Sequence, residues 1–434
     1  RMLCKLSADA EIIIAINAGD IEKSKVRSDL GITYDEDVLR LIGIFRSMGL
    51  YVGSVVITRY TGQDCVDAFR RRLAAVGVRS FLHYPIAGYP SDIAHIVSDE
   101  GYGKNDYIET TKPLVVVTAP GPGSGKMATC LSQLYHEYRR GIKAGYAKFE
   151  TFPIWNLPLK HPVNVAYEAA TVDLDDLNMI DPFHLEKYGV TTVNYNRDVE
   201  IFPVLRAMLE KIQGESPYFS PTDMGVNMAG YCIFDDDAVK KAAEREILRR
   251  YYQTAVAEKR CGSDGSQTQK MELMLNRAEI APTVRPVIAA AAARAEVSGS
   301  PAGALELPDG DIVTGKTTTL LEATAALLLN ALKRLAGIDQ ETDIISPQAL
   351  EPICNLKVRH LHHKNPRLHA DEVLIALSIS STRNADAAKA LEQLEKLRGC
   401  DAHYTVILSR MDEKTHKALG IHATSEPKYE VKPV

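Results

Sequence analysis

The sequence has one tryptophan, no Cys-x-x-Cys pair, no excess of basic residues and no apolar run of about 18 residues. Each absence removes a class of protein. Without such a run there is no membrane-spanning helix; the longest apolar stretch, Ile288 to Ala293, is short and rich in alanine. Seven cysteines lie scattered at positions 4, 65, 130, 232, 261, 354 and 400. Odd in number and dispersed, they read as reduced thiols of a cytoplasmic protein. A net charge of −5 offers no general attraction to nucleic acid or to an anionic membrane, which favours a small-molecule partner. A Ser-His-Asp elbow, a His-Glu-x-x-His helix and the kinase signature set are missing too, as is any internal repeat. The first residue is Arg1, so a natural start is expected to lie upstream and a targeting signal is not legible.

What is present is the composition of an ordinary globular protein, 45% hydrophobic and 25% charged, in 434 residues that suggest two or three domains. Apolar runs at Ile12–Ile16, Val52–Thr58, Val78–His83 and Leu114–Thr118 read as strands. Helical spacing fills Asp35–Met48 and Cys65–Val76 between them. Strand–helix alternation of this kind predicts α/β architecture with a parallel, Rossmann- or P-loop-like sheet over residues 1–234. A helical subdomain is expected at 235–300, broken by the Cys261–Ser266 loop, and a mixed α+β domain at 301–434. The stretch 147–203, dense in prolines and aromatics, reads as irregular, and Lys428–Val434 as a loose tail.

The fourth strand runs directly into Ala119-Pro-Gly-Pro-Gly-Ser-Gly-Lys126, followed by a helical pattern through Leu131, Leu134 and Tyr135. Glycines let backbone N–H groups turn inward, a helix start adds partial positive charge, and a lysine reaches terminal phosphates. Gly121, Gly123, Ser124, Gly125 and Lys126 are therefore candidate ligands of ATP or another phosphorylated molecule, with Lys126 also a catalytic candidate. The motif is imperfect: three residues instead of four separate Gly121 from Gly125, and Met127 stands where a magnesium-holding Ser or Thr is usual. Thr129, or Asp181 in the acidic stretch Asp173–His184, is the candidate magnesium contact, and Asp181 is also a catalytic candidate. A purely structural turn and a solvated acidic cap are the competing readings. By contrast, Gly310–Thr317 satisfies the phosphate-loop pattern letter for letter but reads as a hairpin, since Ile312 and Val313 put β-branched bulk where an anion must approach.

Further candidates for binding substrate follow from residue type. Lys148, Glu150, Asn156, Lys160 and His161 flank the sole tryptophan, Trp155, in the irregular stretch, and are expected to share the turn's cleft. Lys316, Thr317, Lys364, Asn365, Arg367 and His369 are the densest anion-gripping set in the C-terminal half. They are expected to face the turn across an interdomain cleft and hold a co-substrate, against the alternative that they serve local surface structure. Asn194–Asp198 and Asn17–Asp20 are polar clusters beside apolar runs, as at strand ends around a cleft.

Long segments resemble one bacterial family, the domain-of-unknown-function family numbered eighteen forty-six. They are Ile14–Asn17 through Asp29–Asp35, Thr118–Met127, Phe149–Asn156, Pro221–Gly230 and Asn365–His369. The resemblance spans nearly the whole chain and implies a cytosolic bacterial protein of α/β and helical pieces. It implies a further N-terminal segment and no particular activity. Two function classes therefore stay open: an enzyme of phosphoryl transfer or ATP-dependent ligation, and a non-catalytic metabolite-binding or regulatory protein. A scaffold with a merely structural turn is the third, and a homo-oligomer is compatible with each.

Overall fold

The computed structural model describes residues 5–27, 30–149, 153–227 and 229–430. Contacts divide the chain into two units, Arg1–Glu150 with Ile180–Asn227, and Thr151–Met179 with Met228–Val434. The boundaries read from the sequence, 234 and 300, fall elsewhere, because the helices after 235 pack with the C-terminal elements.

In the first unit, β1 (Ala10–Asn17) is buried at every residue but its last. A strand covered on both faces needs apolar side chains in both directions, which is why its isoleucines run without alternation. Ile12, Ile14 and Ile16 pack with Val38 and Ile42 of helix Tyr34–Ser47 and with Phe69 and Leu73 of helix Asp64–Ala75. Ile13 and Ala15 pack with Val56 and Ile108 in a separate cluster. Each of these isoleucines, fully buried, contributes about 1.5–3 kcal/mol. With β2 (Tyr51–Thr58), β3 (Arg79–Leu82) and β4 (Leu114–Thr118), β1 forms a parallel sheet in the order β3-β2-β1-β4. The chain steps outward from β1 to β3 and then returns to the far side of β1. That reversal leaves a crevice beyond the carboxyl ends of β1 and β4, the place where open α/β sheets bind ligands.

The stretch read as irregular holds three helices, Pro162–Ala170, Pro182–Tyr188 and Asn196–Gln213. Pro203 inside the last of them obscures its period.

The second unit has its own four-stranded sheet. Ala302–Glu306 pairs antiparallel with Ile312–Lys316 and with Asp401–Tyr404, and the latter pairs parallel with His422–Ser425. The hairpin at Gly310 is as the sequence reading expects. Gly315 serves packing: a methyl group there would sit 2.4 Å from the backbone nitrogen of Leu327, in helix Ala323–Ala336. The strand Asp401–Tyr404 ends before the apolar residues Val406 to Leu408. Lys428–Glu430 is not loose: the Lys428 carbonyl accepts from Ile407 N–H at 2.9 Å, and Glu430 pairs with Arg367 at 2.8 Å. Residues 431–434 of the expected tail lie outside the described residues. No helix of the described residues is long and apolar enough to cross a membrane.

Candidate functional site

The glycine-rich turn hangs from the carboxyl end of β4, beside the end of β1. Gly123 and Gly125 adopt left-handed conformations, with φ of +75° and +85°, which side-chain-bearing residues rarely take. Gly121 is required by space, since a methyl group would stand 2.4 Å from the Tyr34 hydroxyl. Gly125 packs on Thr58 at the end of β2, where a methyl would find Cγ2 and Oγ1 at 3.0 Å. The Thr58 hydroxyl donates to the Ser124 carbonyl at 2.9 Å, and the buried Ser124 hydroxyl donates to the Gly121 carbonyl at 2.9 Å. The loop is thus fixed from outside by Tyr34 and Thr58 and from inside by Ser124. Thr58→Val is expected to lower stability by about 1 kcal/mol, the ordinary value of one intramolecular bond. Urea denaturation checks it, and an unchanged midpoint would mean that this bond does not hold the turn.

Helix Lys126–Arg139 begins at Gly125 without a side-chain cap, and its first backbone bond is Thr129 N–H to the Gly125 carbonyl at 2.9 Å. The N–H groups of Lys126, Met127 and Ala128 therefore have no acceptor among the described residues. Lys126 folds back over the turn, its ammonium 3.3 Å from the Gly121 carbonyl. Desolvation, then the charge of Lys148, holds that ammonium below the usual lysine range even though the residue as a whole is exposed. Lys148 ion-pairs with Asp198 and donates to the Tyr195 hydroxyl at 2.6 Å. Tyr195, Asp198 and Arg197, together with Met127 from the helix start, line a cavity of about 400 Å³. The polar cluster Asn194–Asp198 thus supplies part of the wall beside the turn.

Asp181 corrects the sequence reading. It is fully buried and caps helix Pro182–Tyr188, accepting from His184 N–H at 3.0 Å and from Thr222 N–H and hydroxyl at 3.1 and 2.6 Å. A carboxylate so enclosed is part of the fold, and neither a catalytic role nor a magnesium contact suits it. Thr129 is buried as well, and its hydroxyl has no partner among the described residues. No group of three or more metal-ligating side chains assembles among the described residues.

Of the Trp155-flanking set, Lys148 belongs to the same unit as the turn and stands near Lys126. Glu150 lies outside the described residues, and Asn156, Lys160 and His161 belong to the second unit. There His161 is a buried helix cap, accepting from Val163 N–H at 3.2 Å and bonding Asp236 at 3.0 Å, so it corrects the expectation of a ligand-facing residue. Asn156 closes over Gly230, and Lys160 is exposed. Lys316, Thr317, Lys364, Asn365, Arg367 and His369 also belong to the second unit. Thr317 and Arg367 line one cavity, Asn365 holds the Arg367 backbone N–H at 3.1 Å, and Lys364 is exposed. His369 caps helix Ala370–Ser380 and bonds Asp412 at 2.8 Å, a structural position. Tyr195 and Arg197 belong to the cluster Asn194–Asp198 named from sequence, whereas Tyr34, at the start of helix Tyr34–Ser47, and Thr58, at the end of β2, are contacts of the turn that the sequence reading missed.

Comparison with known proteins covers nearly the whole chain. The family model described as domain of unknown function DUF1846, N-terminal, matches residues 1–279, and its C-terminal counterpart matches residues 283–434. A UPF0371 protein of Streptococcus thermophilus is 58% identical over 430 residues, spanning 99% of this chain and 87% of its own. One from Streptococcus sanguinis is 58% identical and one from Streptococcus pneumoniae 57%, over the same extents.

Proposed function

The chain belongs to the DUF1846 family, and we propose that it binds a nucleotide or another phosphorylated metabolite at the Gly121–Lys126 turn. One observation carries this reading. A glycine turn with unaccepted N–H groups and a desolvated lysine sits where the strand order of a parallel sheet reverses. The N–H groups would hold phosphate oxygens, and the Lys126 ammonium would exchange its long bond to Gly121 for a phosphate. The neighbouring cavity would receive the rest of the ligand, with Arg197 among its walls. The reaction class such a cradle serves is phosphoryl transfer or ATP-dependent ligation, in which positioning and charge stabilisation do most of the catalysis.

A second reading, non-catalytic binding for regulation, is favoured by a specific feature. Met127 occupies the position of the metal-holding hydroxyl, and Asp181 is enclosed. Magnesium, if it accompanies the ligand, would then be held chiefly by phosphates and water.

ATP at a hundredfold its dissociation constant is expected to raise unfolding free energy by about 2.7 kcal/mol. Urea denaturation with and without the nucleotide measures this, and coincident curves at every ATP concentration would refute nucleotide binding. Phosphate release in the presence of candidate acceptors then separates enzyme from sensor.

A further inference from the structure

The second unit contains a cavity of about 640 Å³, within the range of small-molecule sites and far larger than a bare anion needs. Its walls come from separate segments: Gly299–Pro301, the loop Thr317–Thr319 before helix Ala323–Ala336, Arg367, and Lys428–Glu430. Thr317 is only 6% exposed, yet its buried hydroxyl has no hydrogen-bond partner among the described residues. Burying an unpaired hydroxyl costs about 1–3 kcal/mol, a defect that a bound acceptor would remove.

Arg367 is held in place from several sides. Its carbonyl accepts from the Lys357 ammonium at 2.6 Å, its N–H is held by Asn365, and its Nη1 donates to Glu430 at 2.8 Å. Nε and Nη2 make no hydrogen bond among the described residues, so part of a pre-oriented guanidinium fork remains for a ligand. Lys428 also lines the cavity, so that two cations stand with two carboxylates, Glu430 in the wall and Glu322, whose Oε1 lies 3.8 Å from Arg367 Nη1.

We propose that this cavity binds the phosphate group of a small phosphorylated metabolite, with the Thr317 hydroxyl and the Arg367 fork as its principal donors. A planar carboxylate would be satisfied by the fork alone. Donors from the threonine loop and from Arg367 together suit a tetrahedral group with more oxygens. The volume beyond the phosphate, walled in part by Ala295, Val406 and Tyr429, would take the rest of the molecule. This site is independent of the Gly121–Lys126 turn and stands or falls without it.

The test is calorimetric titration of the full chain carrying Lys126→Ala, which removes the lysine of the other site. Inorganic phosphate, glycerol 3-phosphate and malonate are the probes. Both phosphates are expected to bind, the ester more tightly, and malonate more weakly than either. Thr317→Val should weaken phosphate binding about tenfold without lowering the unfolding midpoint, because it deletes a hydroxyl that has no partner among the described residues. Arg367→Gln should weaken it at least as much. The proposal is overturned if neither phosphate binds at millimolar concentration, if malonate binds as tightly as phosphate, or if Thr317→Val leaves phosphate affinity unchanged.

Discussion

Replacing Lys126 with alanine is expected to weaken ATP binding by about one to two orders of magnitude, the range for a hydrogen bond to a charged group. The fold should not suffer, because the residue is exposed and the one hydrogen bond of its side chain among the described residues is the 3.3 Å contact to the Gly121 carbonyl. The lysine is unusual in its surroundings. Desolvation and the charge of Lys148 both disfavour its charged form in the free protein. An anion at the turn relieves that penalty, so binding should also draw the Lys126 ammonium back toward its ordinary pKa. Isothermal titration calorimetry of the wild type and the variant reads the affinity directly. Equal dissociation constants would remove Lys126 from the site.

The largest effect on stability is expected at Asp412, in the second unit. Only 3% exposed, it accepts from His369 Nδ1 at 2.8 Å, Ala370 N–H at 2.9 Å, the Thr324 hydroxyl at 2.9 Å and the Ser409 hydroxyl at 2.7 Å. Asp412→Ala leaves all of these donors without their acceptor, one of them a charged imidazole when His369 is protonated. A loss of about 3–5 kcal/mol follows, as for other broken buried pairs, which is a large part of a typical stability of about 5–15 kcal/mol. Burial alone would raise the Asp412 pKa, but hydrogen bonds from His369, Ala370 N–H and Ser409 more than reverse this and hold it at about 2. Its contribution is therefore complete above the ordinary carboxylate value of about 3.9 and is lost as pH falls through about 2. The His369 pKa is raised, first by its bond to Asp412. That contribution is complete below about 6.5 and fades as pH rises through the shifted value. Urea denaturation across pH should show this decline above pH 6.5 in the wild type and its absence in Asp412→Asn.

Much of the first unit was legible because burial on both faces of a parallel sheet writes itself as unbroken apolar runs, as in Ile12–Ile16 and Leu114–Thr118. The glycine turn was legible for the same local reason: a strand, positive-φ residues and a helix start are adjacent in sequence. Gly310–Thr317 shows the converse. There the letters of a motif coincide with a hairpin whose glycines answer to a turn and to a packed helix. What stayed hidden depends on distance along the chain. Thr58 reaches Ser124 across 66 residues and Lys148 reaches Asp198 across 50, and neither contact has a local signature. Asp181 misled because a helix-capping carboxylate after an apolar stretch has the same sequence appearance as a metal ligand, and only its burial against Thr222 separates the two.

Whether the turn is a phosphate cradle is decided most directly by a crystal of the full chain grown with ATP. The account predicts phosphate oxygens within hydrogen-bond distance of the backbone N–H groups between Gly123 and Lys126, with the Lys126 ammonium moved from the Gly121 carbonyl onto the phosphate. ATP bound at another place while the turn stays empty and Lys126 keeps its contact with Gly121 would contradict it.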